Sequence, residues 1–173
     1  NKEIIQQPEN RRIYNHIWFK TFKVSVLVMF FCLVLGYPIS YLLATLPLKY
    51  SNLLMICVLL PFWTSLLVRT VAWMVMLQQK GVLNNLLVMA HVIADENRFQ
   101  LMYNQTAVII VMTQILLPFM VLPLYSVMKT IPPTYMRAAL NLGASPLHAF
   151  WKVYMPNSVP GISAGCMLVF IIA

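Results

Sequence analysis

The sequence predicts an all-α fold, a polytopic bundle of membrane-spanning helices read as one domain over residues 1–173. Composition is the first reason. Of 173 residues, 61% are hydrophobic and only 9% are charged, whereas soluble domains average about 25% charged. Twelve Lys/Arg and four Asp/Glu cannot give a water-soluble fold of this size its polar skin. The second reason is patterning: long charge-free runs recur, and about 20 helical residues at 1.5 Å each cross a hydrocarbon core. The third is the aromatic and β-branched content, which excludes a disordered chain.

The elements follow in order. Residues 1–19 are polar, with Pro8 and the pair Arg11-Arg12. A transmembrane helix is expected over 20–48, free of charge from Val24 onward, with Gly36 and Pro38 inside it. Membrane helices tolerate such residues where neighbours re-satisfy the backbone. Pro47, Lys49, Ser51 and Asn52 make a short polar turn. A second span is expected over 53–79, interrupted by Pro61 and Arg69 and ended by Gln78-Gln79-Lys80-Gly81. Residues 80–100 form a loop. Its apolar stretch Val82–Ala94 is too short to span and either lies along the interface or re-enters, and Asp95-Glu96-Asn97-Arg98 follows. A third span is expected over 101–128, kinked at Pro118 and Pro123. The loop 129–157 comes next, and 158–173 begins a further span. The start at Asn1 and the stop at Ala173 within an apolar run are what an internal fragment of a longer chain is expected to show.

Net charge is +8, but the bases stand singly apart from Arg11-Arg12. They read as membrane flanks against anionic lipid, not as a nucleic-acid stripe. A soluble helix-turn-helix DNA binder over 133–154 fails on its apolar flanks. Cys32, Cys57 and Cys166 lie in apolar runs without CxxC spacing and read as inert thiols. His16, His91 and His148 are unclustered, so no metal site is assigned. There is no Walker A loop, GxSxG, HExxH or carboxylate pair within a span. No catalytic residue is assigned, and any energy for work must come from a partner.

The loop 129–157 predicts two short helices and a tight turn. Pro133 suits the first position of one helix, which runs to about Leu142. Gly143 fits the position after a helix end, where φ is positive. Ser145 is a good N-cap, with Pro146 first in the second helix. That helix carries Leu147, Phe150, Trp151 and Tyr154 and is expected to end before Pro156. Ala138, Ala139, Gly143 and Ala144 give the elbow a small-residue surface that another backbone can approach closely, as docking to a soluble partner requires.

These residues resemble a known family. Arg137-Ala138-Ala139-Leu140-Asn141-Leu142-Gly143-Ala144-Ser145-Pro146, with Pro156 ten residues on, is similar to the EAA loop of ABC importer permeases, the MetI-like fold. Pro61-Phe62-Trp63-Thr64-Ser65-Leu66-Leu67-Val68-Arg69-Thr70-Val71-Ala72-Trp73 and Leu35-Gly36-Tyr37-Pro38-Ile39-Ser40-Tyr41 resemble the spermidine/putrescine branch. The resemblance covers the chain from about Thr21. It implies an inner-membrane transport subunit that is not itself an enzyme. It implies ATPase subunits as partners that carry ATP and magnesium, with no cofactor on this chain. A second permease subunit, identical or paralogous, and a periplasmic substrate-binding protein complete the set. It also implies a cytoplasmic loop 129–157 in which Arg137, Ala138, Ala139, Leu142, Gly143, Ala144, Ser145 and Pro146 couple ATPase closure to alternating access. Six helices are implied, with the first and last not among those seen here, and 80–100 external. Two positions depart from the pattern: Arg137 stands for the leading Glu, and Asn141 for a common Asp. The bases run against the implied topology. Lys49, Lys129, Arg137 and Lys152 fall inside, against Lys2, Arg11, Arg12, Lys20, Lys23, Lys80 and Arg98 outside.

Arg69, Trp63 and Gln114 are candidates for a translocation path. Arg69 is the only charge inside the apolar run of an expected span, so it either serves a pathway or snorkels to headgroups. Trp63, Trp73, Tyr37 and Tyr41 either stack on a cation or form interfacial belts and helix packing. Gln105, Thr113 and Gln114 either line a polar path or bond between helices. Asp95 and Glu96 either meet a binding protein or are solvated. The rivals to an importer are an ion-coupled transporter or channel, which needs buried titratable groups or unwound half-helices for ion binding, and a membrane assembly factor that uses 129–157 only to bind protein.

Overall fold

A computed structural model describes residues 10–89 and 104–173. Asp95, Glu96, His91 and much of the expected 80–100 loop lie outside the described residues. The described elements are helices and turns, with no strand among them. They run α1 (Asn10–Thr45), α2 (Leu48–Leu59), a 3-10 turn (Leu60–Trp63), α3 (Leu66–Leu77), α4 (Val82–Met89), α5 (Gln105–Thr130), α6 (Pro133–Asn141), α7 (Pro146–Ala149), a π turn (Phe150–Tyr154) and α8 (Met155–Ile172). Among the described residues, three helical stretches are long and apolar enough to cross a membrane, Tyr14–Thr45, Gln105–Thr130 and Pro146–Ile172, and a fourth if the bent pair Leu48–Trp63 and Leu66–Leu77 is one broken span.

The core lies where α1, α5 and α8 meet, around Val28, Cys32, Leu116, Met120, Leu124, Met128, Tyr154 and Val169. Hydrocarbon offers no partner to a polar group, and several of the polar side chains at the helix contacts bond across helices. Ser40 Oγ on α1 donates to the Val121 carbonyl of α5 at 3.3 Å, and Cys32 Sγ to that of Thr113 at 3.5 Å. Tyr37 Oη and Ser158 Oγ join α1 to α8 at 3.3 Å. Gly161 lets α8 approach the α5 backbone. A Cβ there would sit 3.2 Å from Leu124 Cα and 3.3 Å from the Pro123 oxygen.

The run expected as one span over 53–79 is two helical segments. Leu48–Trp63 and Leu66–Leu77 are bent by 96°. Pro61 has no N–H to continue the ladder, and Thr64 and Ser65 are extended, with ψ of 140° and 141°. α2 is tied back to the end of α1 by Ser51 Oγ, which donates to the Leu43 carbonyl at 2.7 Å.

The second difference lies at Pro156. The helix that begins at Pro146 does not stop there but runs on to Ile172. A proline in an α-helix clashes with the carbonyl four residues back. Here the turn before it is widened, with the Met155 N–H bonding to the Phe150 carbonyl, five residues back. The π turn thus accommodates Pro156 and preserves the helix.

Candidate coupling elbow and polar path

α6 starts at Pro133, after Pro132 in an extended conformation. It ends in a Schellman turn. The Gly143 N–H bonds to the Leu140 carbonyl at 3.0 Å and the Ala144 N–H to that of Ala139 at 3.1 Å. Gly143 has φ +85°, a region that L side chains rarely adopt. Ser145 then caps α7, its hydroxyl accepting from the His148 N–H at 3.4 Å. The chain therefore turns within Leu142–Ser145, held by local hydrogen bonds.

The elbow is exposed. Leu142 is 88% and Leu147 74% accessible, and Arg137, Ala138, Asn141, Gly143, Ser145, Pro146, His148 and Lys152 are exposed too. Ala139 and Ala144 are half-buried. A Cβ built on Gly143 meets nothing within 4 Å, so the tip faces open space. The site is basic: Arg137 and Lys152 carry charge, and no acid follows Glu96 in the sequence.

Behind the tip stands an aromatic block that spacing alone did not single out. Phe150 meets Tyr37 edge-on at 6.1 Å, Tyr41 at 5.5 Å and Trp151 at 6.1 Å, and stacks on Tyr154 at 5.8 Å. Tyr41 also meets Tyr154 edge-on at 5.1 Å. Tyr37 and Tyr41 are thus packed against the elbow's return helix. The available clue was the Phe150-Trp151 pair with Tyr154 one turn on, opposite two tyrosines spaced by four on α1. The block sits on the π turn, so the elbow, α1 and the α8 span are joined at one place.

The path candidates are not brought together. Gln114 lines a cavity of about 720 Å³ between α1, α2 and α5, with Leu35, Ile39, Cys57, Thr106 and Thr113. Its Oε1 accepts from Trp73 Nε1 at 3.3 Å. The Thr113 hydroxyl is buried there without a partner among the described residues. Trp63 is 90% exposed and lies off this cavity. Arg69 is half-buried and folds back over the bend, Nη2 donating to Thr64 Oγ1 at 3.0 Å and to the Thr64 carbonyl at 3.3 Å. Gln105 is exposed at the start of α5. Among the described residues, no cluster of His, Cys, Asp or Glu could hold a metal, and the three thiols are free.

Residues 36–173 match the family described as binding-protein-dependent transport system inner membrane component. The spermidine/putrescine transport system permease protein PotB of Escherichia coli K12 is 39% identical over 159 residues, 92% of this chain and 57% of that protein. The protein of the same name from Haemophilus influenzae is 36% identical, over 92% of this chain and 55% of its own length. The inner membrane ABC transporter permease protein YdcU of Escherichia coli K12 is 29% identical over 87% of this chain and 51% of its own length. The chain thus spans a little over half the length of the curated relatives it matches.

Proposed function

The chain belongs to the binding-protein-dependent transport system inner membrane component family, and from that premise we propose that it is a permease subunit of an ATP-driven importer of polyamines. The relatives at 36–39% identity are spermidine/putrescine permeases by name, which supports that substrate class. A separate ATPase supplies the energy, a second permease subunit completes the path, and a binding protein delivers the substrate from outside. ATP and magnesium belong to the ATPase.

One observation carries this reading. The exposed elbow at Leu142–Pro146 continues without a break into a span. Residues Pro146–Ile172 form 27 helical residues, about 40 Å at 1.5 Å per residue. A partner that grips Leu142, Gly143 and Leu147 therefore holds a lever on α8. Arg137, Ala138, Ala139, Ala144, Ser145 and Pro146 shape the same surface. The aromatic block on Tyr37 and Tyr41 passes the displacement to α1, and closely packed helices shift between discrete arrangements rather than deform smoothly. In this reading 129–157 faces the cytoplasm. Gln114 and Thr113 offer polar atoms along the path, and Arg69 steadies the α2–α3 bend.

The test is purification of the full-length protein from native membranes in mild detergent, with co-purifying chains identified by mass spectrometry. A Walker-motif ATPase that is lost on Gly143→Asp is the expected result. No ATPase, under conditions that keep other membrane complexes whole, would refute the importer reading and favour a channel or assembly factor.

A further inference from the structure

We propose that the surface receiving this elbow is an acidic-rimmed, apolar-floored groove on the ATPase, with at least one carboxylate facing Arg137; the inference rests on the coupling reading above. Two exposed leucines flank the turn, Leu142 at 88% and Leu147 at 74% accessibility. They set the floor of the complement, because apolar side chains standing clear of a turn are stabilised by leaving water. Open space around the Gly143 Cα lets the wall of the groove come close.

Charge sets the rim. Arg137 lies one turn from Asn141 on α6, on one helix face, and among the described residues neither has an acidic neighbour. His148 and Lys152 stand at the same spacing on the return helix and are likewise exposed. None of the described residues is an Asp or Glu, so among them this face finds no counter-charge for its cations. A basic groove would meet Arg137 with like charge, which disfavours the interface. A carboxylate meets the guanidinium fork with two parallel hydrogen bonds. Anionic headgroups share that charge complementarity. They do not call for a left-handed turn with a fixed shape and two leucines presented at its tip, so a folded protein groove is favoured.

The experiment uses the full-length permease pair in nanodiscs of zwitterionic lipid, with the purified ATPase subunits and the variants Arg137→Glu, Arg137→Ala and Leu142→Asp. The proposal expects Arg137→Glu to weaken ATPase binding about tenfold or more, Arg137→Ala to weaken it less, and wild-type binding to fall as KCl rises from about 50 to 500 mM. An Asp/Glu→Lys change in the groove should restore Arg137→Glu. If Leu142→Asp abolishes binding while Arg137→Glu binds as wild type, the acidic rim is overturned and the coupling reading survives. If Arg137→Glu instead only weakens association with phosphatidylglycerol vesicles, the arginine serves a headgroup. If wild-type permease binds no ATPase at low salt, both readings fall.

Discussion

Gly143→Ala isolates the backbone geometry of the elbow from everything else about it. The glycine has φ +85°, and the Cβ added by alanine meets nothing within 4 Å. No clash accompanies the change, and the penalty is the left-handed conformation itself, about 1–2 kcal/mol for an L residue. α6 buries no residue fully and has only nine residues, too few for a stable helix without support. An alternative turn is therefore close in energy, and the strain appears as a loss of the native elbow's population. One to two kcal/mol is a factor of roughly 5–30, and apparent affinity falls by the fraction lost. The assay is ATPase binding to full-length permease in nanodiscs, alongside substrate uptake in proteoliposomes. Gly143→Ala should weaken both within that range while membrane insertion stays normal. Gly143→Asn, whose side chain tolerates left-handed φ, should recover whatever part of the loss is strain. Wild-type affinity and uptake for Gly143→Ala would refute the claim that this turn is the coupling element.

Three further outcomes are expected. Phe150→Ala removes the ring that meets Tyr37, Tyr41, Trp151 and Tyr154, each pair worth about 0.5–1.5 kcal/mol beyond burial. ATPase should still bind, since Leu142 and Leu147 are untouched, but ATP hydrolysis and uptake should uncouple; coupled turnover in this variant would remove the aromatic block from the mechanism. Gly161→Val pushes a side chain against the α5 backbone, which cannot give way as a flexible side chain could, and should cost about 1–3 kcal/mol or more, read as a lower unfolding temperature in detergent. Arg69→Lys loses the forked contact with Thr64, so spin labels on α2 and α3 should report a broader distance distribution across the bend.

How much of this was legible in the sequence depends on the range of the interaction. The elbow follows from local rules, and Gly143, Ser145 and Pro146 occupy the positions that helix capping assigns them. The all-α class follows from charge-free length. What escaped depended on partners distant in sequence. Pro156 reads locally as a stop, but a widened turn one step earlier lets the helix pass. Pro61 with Thr64 and Ser65 produced a bend of 96° where hydropathy alone sees one apolar run. The role of Tyr37 and Tyr41 was open between cation stacking and packing until Phe150 was placed beside them, more than a hundred residues away. Gln114 stands out as polar in an apolar run, but its bond to Trp73 spans 41 positions and leaves no local trace. Arg69 reads as the lone charge in an apolar run, and its bond to Thr64 depends on the bend that hydropathy does not show.

The most direct test of the central claim is ATP-driven uptake of spermidine into proteoliposomes holding the full permease pair, its ATPase and its binding protein. The account predicts accumulation that needs ATP and the binding protein, and that Leu142→Asp abolishes together with ATPase retention. Accumulation that persists in Leu142→Asp, or that proceeds without the ATPase, would contradict it.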